Sequence, residues 1–171
     1  MKTVNSVEMI SNDICFQTND KRRFRLRAAA IIIENGAVLF ATNDAEDYYY
    51  TIGGGVELGE TAEEAVRREV KEETGVDYQI ERLAFIQENF FKRDDGELKD
   101  LSCHEVTFYF LMKSRGTRQL DSHSKPANNT TEEKMVWLPL DKLGEYDAYP
   151  LFFREKLKNL PPYPEYIVTR R

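Results

Sequence analysis

The sequence of 171 residues contains little cysteine and no long apolar run. Its two cysteines, Cys15 and Cys103, stand far apart and lack the spacing of metal ligands, so we expect reduced thiols in a reducing compartment. No apolar run approaches the length of a membrane span, and the N-terminus lacks the apolar core of a signal peptide. The sequence therefore predicts a cytoplasmic protein without a membrane partner.

Positive charge is in deficit, because 24 lysines and arginines stand against 30 aspartates and glutamates, for a net charge of −6 at pH 7. A chain of this charge is not expected to have a general affinity for nucleic acid backbones or anionic membranes. An anionic substrate would have to be attracted locally, by metal ions and a few placed cations. The sequence therefore predicts a small-molecule partner and no nucleic acid, and it leaves a homodimer open.

The order of predicted elements indicates one domain of the α/β (α+β) class. Strands are predicted at 24–33, 37–41, 77–91, 102–113 and 134–138. A C-terminal helix is predicted at 151–160. Strands on both sides of a central helix, with a second helix late in the chain, predict an α/β/α sandwich around a mixed central sheet. The predicted organisation is an N-terminal extension with an edge strand at 1–22, the domain at 23–162 and a C-terminal tail at 163–171.

Both ends of the central helix are marked in the sequence. Thr61 stands at the N-cap position, and Glu64 follows three residues later to complete a capping box. Gly75 comes directly after the last turn, where a left-handed cap favours a residue without a Cβ. The helix is therefore predicted over 62–74.

The carboxylates of this helix point in two directions. An apolar stripe that must face the core consists of Ala62, Ala65, Val66 and Val70. Glu69 and Glu73 fall inside this stripe, and Glu72 lies just past its edge. Two inward carboxylates four residues apart repel each other and lose hydration, so both charges need compensation. A divalent cation such as Mg²⁺ would supply it, and so would a network of buried ion pairs.

The same segment carries glycines, glutamates and an arginine at fixed spacing. Five residues separate Gly54 from Glu60, and seven more precede the run REVKEETGV, which begins at Arg68. This pattern resembles the Nudix box of the Nudix hydrolases at each specified position, although Ile52 stands where a proline is common. An arginine-containing strand before the box and a Trp-x-Pro-Leu-Asp-x-Leu stretch after it extend the resemblance over 24–143.

The resemblance implies hydrolysis of a nucleoside diphosphate linked to another moiety, with a water attacking phosphorus. It implies Mg²⁺ or Mn²⁺ as cofactor, with Glu69, Glu72 and Glu73 as both the metal ligands and the catalytic residues. The backbone carbonyl of Gly53 is a further ligand by the same resemblance. Metal ions suit this chemistry because they screen phosphoryl oxygens and lower the pKa of bound water.

Supporting roles are expected for the other residues of the box. Arg68 is expected to pair with Glu60 and so to hold the glycine-rich loop against the helix. Gly54 and Gly55 allow the backbone to turn tightly close to the substrate.

Two candidates lie outside the box, and each has two interpretations. Arg27 stands on a strand near the expected site, where it would contact a phosphate or remain a solvent-facing charge at a sheet edge. Glu105 stands at the start of a later strand, where it would act as a base or ligand or form a salt bridge at the strand end. The sequence does not decide between these interpretations.

The substrate is predicted to be a nucleotide or nucleotide-sugar, either ADP-ribose-like or (d)NTP-like, the latter including 8-oxo purine triphosphates. Two other functions remain open on the same fold. A catalytically silent nucleotide-sensing module is one, although the retention of all the box glutamates argues against it. Isoprenoid diphosphate isomerisation is the other, and it would need a protonating cysteine, for which Cys103 is a remote candidate.

Overall fold

Two β-sheets and one long helix form the frame of the protein in the computed structural model, which describes residues 12–44, 47–92, 98–121 and 133–171. The strands are β1 (Cys15–Gln17), β2 (Arg22–Ile31), β3 (Ile33–Glu34), β4 (Ala37–Thr42), β5 (Tyr49–Tyr50), β6 (Gly53–Gly55), β7 (Ile80–Lys92), β8 (Ser102–Met112), β9 (Lys134–Pro139), β10 (Ala148–Tyr149) and β11 (Glu165–Arg170). The helices are α1 (Ala62–Thr74), a 3₁₀-helix (Leu140–Glu145) and α2 (Phe153–Lys156). No helix among these described residues is long and apolar enough to cross a membrane.

The larger sheet has the strand order β1-β2-β8-β7-β11, and β6 also pairs with β2. Strand β2 is parallel to β8, β8 is antiparallel to β7, and β7 is parallel to β11. The smaller sheet has the order β10-β5-β4-β3, with β9 paired to β4. Parallel and antiparallel pairs therefore occur together, as expected for a mixed sheet.

Two hydrophobic clusters lie on opposite sides of β2 and explain why its sequence is apolar without alternation. Ala28 and Ala30 belong to the cluster that includes the buried face of α1. Ala29 and Ile31 belong to the other cluster, which includes Phe153 of α2. The sequence of a strand that is covered on both faces is a continuous apolar run. Helices on both sides of the sheets confirm the predicted α/β/α sandwich.

Helix α1 begins and ends at the predicted residues. The Thr61 side chain accepts a hydrogen bond from the Glu64 backbone N–H, and the Glu64 carboxylate accepts one from the Thr61 N–H at 2.8 Å. Gly75 has a φ of 73° and donates its N–H to the Lys71 carbonyl. Because these caps are local, the sequence was sufficient to place the helix.

The C-terminal part of the chain differs from the prediction. The predicted tail at 163–171 contains β11, which extends the larger sheet beside β7. The predicted helix at 151–160 is limited to the four residues of α2, whose first turn has no side-chain cap. The strand was missed because it has only half-buried and exposed positions and because its partner lies about eighty residues earlier in the chain.

The remaining segment predictions have mixed outcomes. Strand β1 pairs antiparallel with β2 at the edge of the larger sheet, within the predicted N-terminal extension. Asn35-Gly36, a dipeptide that predicts a hairpin turn, joins β3 to β4. The sequence also predicts a charged turn at 92–100 and a polar connection at 114–131, and both lie in part outside the described residues.

A buried carboxylate ties the segment after β8 to the hairpin. Glu34 is fully buried, and it accepts hydrogen bonds from the backbone N–H of Arg115 at 2.7 Å and of Gly116 at 2.9 Å. The Ser114 hydroxyl donates to the same carboxylate at 2.7 Å. Burial alone would raise the pKa of Glu34, but these donors outweigh burial and hold the pKa below its usual value of 4.5.

Replacing this carboxylate tests its structural role. Glu34→Gln is expected to lower the free energy of unfolding at pH 7 by about 2 kcal/mol, because it removes the charge that these donors stabilise. A carboxyl group whose pKa is lowered on folding contributes stability above its unfolded pKa and loses it as the pH falls through the folded value. The difference between wild type and variant should therefore shrink from pH 7 to pH 3 in urea denaturation.

The exposed Glu145 provides a matched control, since Glu145→Gln should change the free energy of unfolding by less than about 0.5 kcal/mol. A cost of Glu34→Gln that is the same at both pH values would contradict the stabilising charge.

Candidate active site

Strand β2, helix α1 and the three glycines of β6 (Gly53–Gly55), which we call the glycine turn, contact one another. The β6 glycines pair with Arg27–Ala29 of β2. The apolar stripe of α1 belongs to the same hydrophobic cluster as Ala28 and Ala30 of that strand. The Glu69 carboxylate lies so close to Gly54 that a Cβ at this position would overlap it. A Cβ at position 54 would therefore displace the carboxylate of a residue fifteen positions later.

Glu73 is the carboxylate held most closely by the glycine turn. Its Oε1 accepts a hydrogen bond from the Gly53 backbone N–H at 3.0 Å. Burial, and then the negative charges of Glu133 and Glu69, raise the pKa of Glu73 to about 8. The Gly53 N–H and the positive charge of Arg27 offset only part of this rise.

The other two glutamates of the predicted metal set differ in their surroundings. Burial raises the pKa of Glu69 above its usual value, although Arg68 Nη1 donates to Glu69 Oε1 at 2.7 Å and acts in the opposite direction. The Glu72 side chain is 57% exposed, with its Oε2 at 3.7 Å from Arg68 Nη1. Two of the three carboxylates are thus directed inward and one is directed to solvent.

Arg68 forms the predicted contact with Glu60. Its Nε and Nη2 donate to the two Glu60 carboxylate oxygens, each at 2.9 Å, and Nη2 also donates to the Gly55 carbonyl at 3.1 Å. The Arg68 hydrogen bonds hold the pKa of Glu60 below its usual value. Glu60 in turn accepts from the Glu57 N–H at 3.1 Å, so the pair connects helix and loop at several points.

Arg27 lies against the glycine turn and not at a solvent-facing sheet edge. Its Nη2 donates to the carbonyl of Thr51 at 2.9 Å and to that of Gly53 at 3.2 Å. Burial lowers the pKa of Arg27, but nearby negative charges, led by Glu105, more than offset this effect. The Gly53 carbonyl, a predicted metal ligand, therefore already accepts one hydrogen bond and retains a second lone pair.

Glu105 and Arg27 line the same cleft, which has a volume of about 610 Å³ and also includes Gly53. Glu105 lies opposite Arg25 in the parallel pair of β2 and β8. The Thr107 hydroxyl donates to its carboxylate at 3.4 Å. The structure therefore places Glu105 in the cleft beside the glycine turn.

Three hydrogen-bonded polar residues at the cleft were not among the predicted site residues. Tyr50 donates its hydroxyl to Glu133 Oε1 at 2.7 Å, and it accepts from Asn43 Nδ2 at 3.1 Å. All three residues line the cleft. The sequence has a run of three tyrosines at 48–50 and two glutamates at 132–133, but nothing local in either indicates that residues 83 positions apart would meet.

The glutamates of α1 do not form a closed metal cage. In the ranges that the structure describes, no three His, Cys, Asp or Glu side chains stand close enough together to hold a metal ion. The donor set nevertheless fits a hard divalent cation, because it offers carboxylate and carbonyl oxygens only. A cation beside Glu69 and Glu73 would also offset the cost of burying their charges. Glu72 is exposed, and side chains of this kind change rotamer readily.

The comparisons with known proteins agree on one family. A sequence model described as the NUDIX domain matches residues 24–160 of this chain. An RNA pyrophosphohydrolase from a Nitratiruptor species is 28% identical over 116 residues, which are 62% of this chain and 74% of that protein. The NUDIX match extends beyond the box in both directions and covers most of the sandwich.

Solved structures show the same fold. The crystal structure of a MutT protein from Bacillus halodurans has a TM-score of 0.64 at 21% identity, covering 85% of this chain and 90% of that one. An ADP-ribose pyrophosphatase from Streptococcus suis 89-1591 has a TM-score of 0.51 at 17% identity, covering 85% and 98%. At these identities the likeness concerns the fold alone.

The close approach of Glu69 to the glycine turn predicts the effect of adding one methyl group. Gly54→Ala should displace the Glu69 carboxylate and weaken the binding of Mn²⁺, used as a probe cation, by roughly tenfold or about 1.4 kcal/mol. Electron paramagnetic resonance of free Mn²⁺ measures this affinity. Gly144→Ala is the matched control, because a Cβ there would meet open space. Equal affinities in both variants would contradict this placement of Glu69.

The raised pKa of Glu73 predicts how metal-free stability depends on pH. A carboxyl group whose pKa rises on folding loses stabilisation as the pH increases, here between the usual 4.5 and about 8. Glu73→Gln removes this titration, so the variant should gain stability over wild type across that window. We expect a gain on the order of 2 kcal/mol at pH 9, measured by urea denaturation with a chelator present.

Glu63→Gln on the exposed side of the same helix serves as the control and should follow the wild-type pH profile. Parallel profiles for wild type and Glu73→Gln would show that Glu73 is not held in a costly buried site.

Proposed function

Because the chain belongs to the NUDIX domain family and is a nucleotide pyrophosphatase of the Nudix type, we propose that it hydrolyses a nucleoside diphosphate linked to another moiety. The observation that supports this proposal most is the position of Glu69 and Glu73. Their carboxylates lie against the glycine turn, with pKa values raised chiefly by burial, beside a cleft that also contains Arg27 and Glu105. Such a cleft is large enough for a nucleotide.

A divalent cation, Mg²⁺ or Mn²⁺, is assigned to Glu69, Glu72 and Glu73, with the Gly53 carbonyl as a further ligand. A bound ion of this kind screens phosphoryl oxygens and lowers the pKa of a water ligand. The sequence pattern and the oxygen-only donor set support the assignment. The choice between the two metals belongs to experiment.

The remaining residues of the site bind and orient the substrate. The Arg68–Glu60 pair fixes the loop, so that the backbone of Gly54 and Gly55 can approach the diphosphate closely. Arg27 holds the Thr51 and Gly53 carbonyls and adds positive charge at the wall of the cleft. An anionic diphosphate would therefore interact with the fixed positive charge of Arg27 as well as with the cation.

Two carboxylates can accept the proton of the attacking water. Glu105 lies on β8, in the wall of the cleft, and Glu133 lies beside Tyr50 at its other side. We assign the role of general base to Glu105 because its hydrogen bond from Thr107 is long, at 3.4 Å, whereas Glu133 accepts one of 2.7 Å from the Tyr50 hydroxyl. Aromatic rings for a nucleoside are present as well, since Tyr48 and Tyr149 pack edge to face at 5.5 Å in the same cleft.

Isoprenoid diphosphate isomerisation loses its candidate acid. Among the described residues that line the cleft, Cys103 is not present; it is buried, with its Sγ at 3.8 Å from the Leu101 carbonyl. A catalytically silent sensor is distinguished by experiment, because it would be stabilised by a nucleotide that it does not cleave.

A substrate panel with paired variants tests the proposed hydrolysis. The panel contains ADP-ribose, dNTPs with 8-oxo-dGTP, and 5′-triphosphorylated RNA, each with Mg²⁺ or Mn²⁺. Glu72→Gln and Glu73→Gln should each lower kcat/KM for the preferred substrate by at least about a hundredfold, which corresponds to about 2.7 kcal/mol. Mass spectrometry of the products identifies the cleaved bond.

Glu63→Gln, which changes an exposed carboxylate of the same helix, should retain the wild-type rate. Full turnover in both Glu72→Gln and Glu73→Gln would contradict the assigned metal site. Thermal stabilisation by a nucleotide without turnover across the whole panel would instead support a sensor.

A further inference from the structure

Cations from three strands of the larger sheet converge on a second cavity, outside the candidate active site. This cavity has a volume of about 580 Å³. Its positively charged lining residues are Arg22, Arg23, Lys92, Arg170 and Arg171. Within the part of the chain that the structure describes, no carboxylate lines it. Asp20, at 2.7 Å from Arg22, offsets one of these charges. The remaining four cations concentrate positive charge at this place on a chain with a net charge of −6.

A row of flat side chains crosses the sheet at the same cavity. Phe16, Phe24, His104, Phe90 and Arg170 occupy directly opposite positions on β1, β2, β8, β7 and β11. We call these five side chains the aromatic row. Neighbouring rings of the row lie between 4.2 and 5.4 Å apart.

Arg170 ends the aromatic row at the edge strand. Its guanidinium lies over the Phe90 ring, 3.9 Å from the ring centroid, while the residue remains exposed. A guanidinium held in this way presents both a positive charge and a flat surface on which a base can stack. At the other end, the Phe16 ring is 58% exposed.

The aromatic row lies on the face of the larger sheet opposite the candidate active site. Phe24 and His104 of the row are followed in their strands by Arg25 and Glu105, which line the cleft. Successive side chains of a strand point to opposite faces of the sheet. The cavity and the cleft adjoin where the strands end, and the residues that line both are Phe91, Lys92 and Arg171.

We propose that the second cavity and the aromatic row bind a single-stranded polynucleotide on the face of the larger sheet opposite the cleft. Repeated phosphates match the converging cations, and unpaired bases match the flat side chains. The row spans four gaps of roughly 4.8 Å between strands, about 19 Å in all, which exceeds the length of one nucleotide. A duplex fits less well, because its bases are stacked and paired and cannot reach the row.

This proposal departs from the expectation that the protein has no nucleic acid partner. That expectation used the charge of the whole chain, which averages over the surface. The cations of the cavity come from residues 22–23, 92 and 170–171, and only the fold brings these three segments together. The local charge, and not the net charge, decides whether a phosphate backbone can bind here.

Binding without hydrolysis tests this proposal separately. A fluorescent ten-nucleotide RNA without a terminal phosphate is titrated with the Glu73→Gln protein in the presence of a chelator, and anisotropy reports the Kd. Parallel titrations use the DNA of the same sequence, the corresponding duplex and a single nucleotide. We expect both single strands to bind at least tenfold more tightly than the duplex and the nucleotide.

Charge reversal at the cavity locates the binding surface. Arg170→Glu and Arg22→Glu should each weaken single-strand binding at least fivefold and make the dependence of log Kd on log salt concentration less steep, by about 0.7 or more. Lys142→Glu makes the same change of charge at an exposed position on the 3₁₀-helix and should alter the Kd less than twofold. Thermal melting checks that each variant is folded.

Three results would overturn the proposal: no binding of either single strand, duplex bound as tightly as single strand, or equal losses with Lys142→Glu and Arg170→Glu. None of these results bears on hydrolysis of a nucleotide in the cleft. Conversely, full turnover by Glu72→Gln and Glu73→Gln would contradict the proposed metal site while leaving the measured binding unaffected.

Discussion

The burial of two carboxylates against a glycine turn is the constraint on which the rest of the site depends. Glu69 and Glu73 lie on the core side of α1, where their charges are costly, and the Gly53 N–H compensates only part of that cost. Gly54 leaves room for the observed position of the Glu69 carboxylate, which a Cβ at residue 54 would displace. A helix with a fixed rotation and a fixed start is required to hold this arrangement, and the caps at both ends of α1 provide it.

The parts of the molecule that the sequence predicted are those decided by near neighbours. The bounds of α1 depend on residues within one turn of each end, and the inward direction of Glu69 and Glu73 follows from helical rotation alone. Glu34 and β11 were missed because their partners lie about eighty residues away in the chain. The hydrogen bond between Tyr50 and Glu133 at the cleft was missed for the same reason, since neither residue is distinctive within its own segment.

The charged residues differ in the same way, because some partners are close in the sequence and others are brought together only by the fold. Arg68 and Glu60 are eight residues apart, and their pairing follows from the spacing of the box. The cations of the second cavity come from both ends of the chain and from the end of β7, so no window of the sequence contains them together. A net charge of −6 is therefore compatible with a surface that favours a phosphate backbone at one edge of the larger sheet.

We propose that the buried carboxylates of α1 hold a divalent cation. A titration of Mn²⁺ followed by electron paramagnetic resonance, with Mg²⁺ as competitor, tests it most directly in wild type and in the Glu69→Gln/Glu73→Gln double variant. The predicted result is Mn²⁺ binding that Mg²⁺ reverses in wild type, and an affinity at least tenfold weaker in a folded double variant. Unchanged Mn²⁺ affinity in the double variant would contradict the claim.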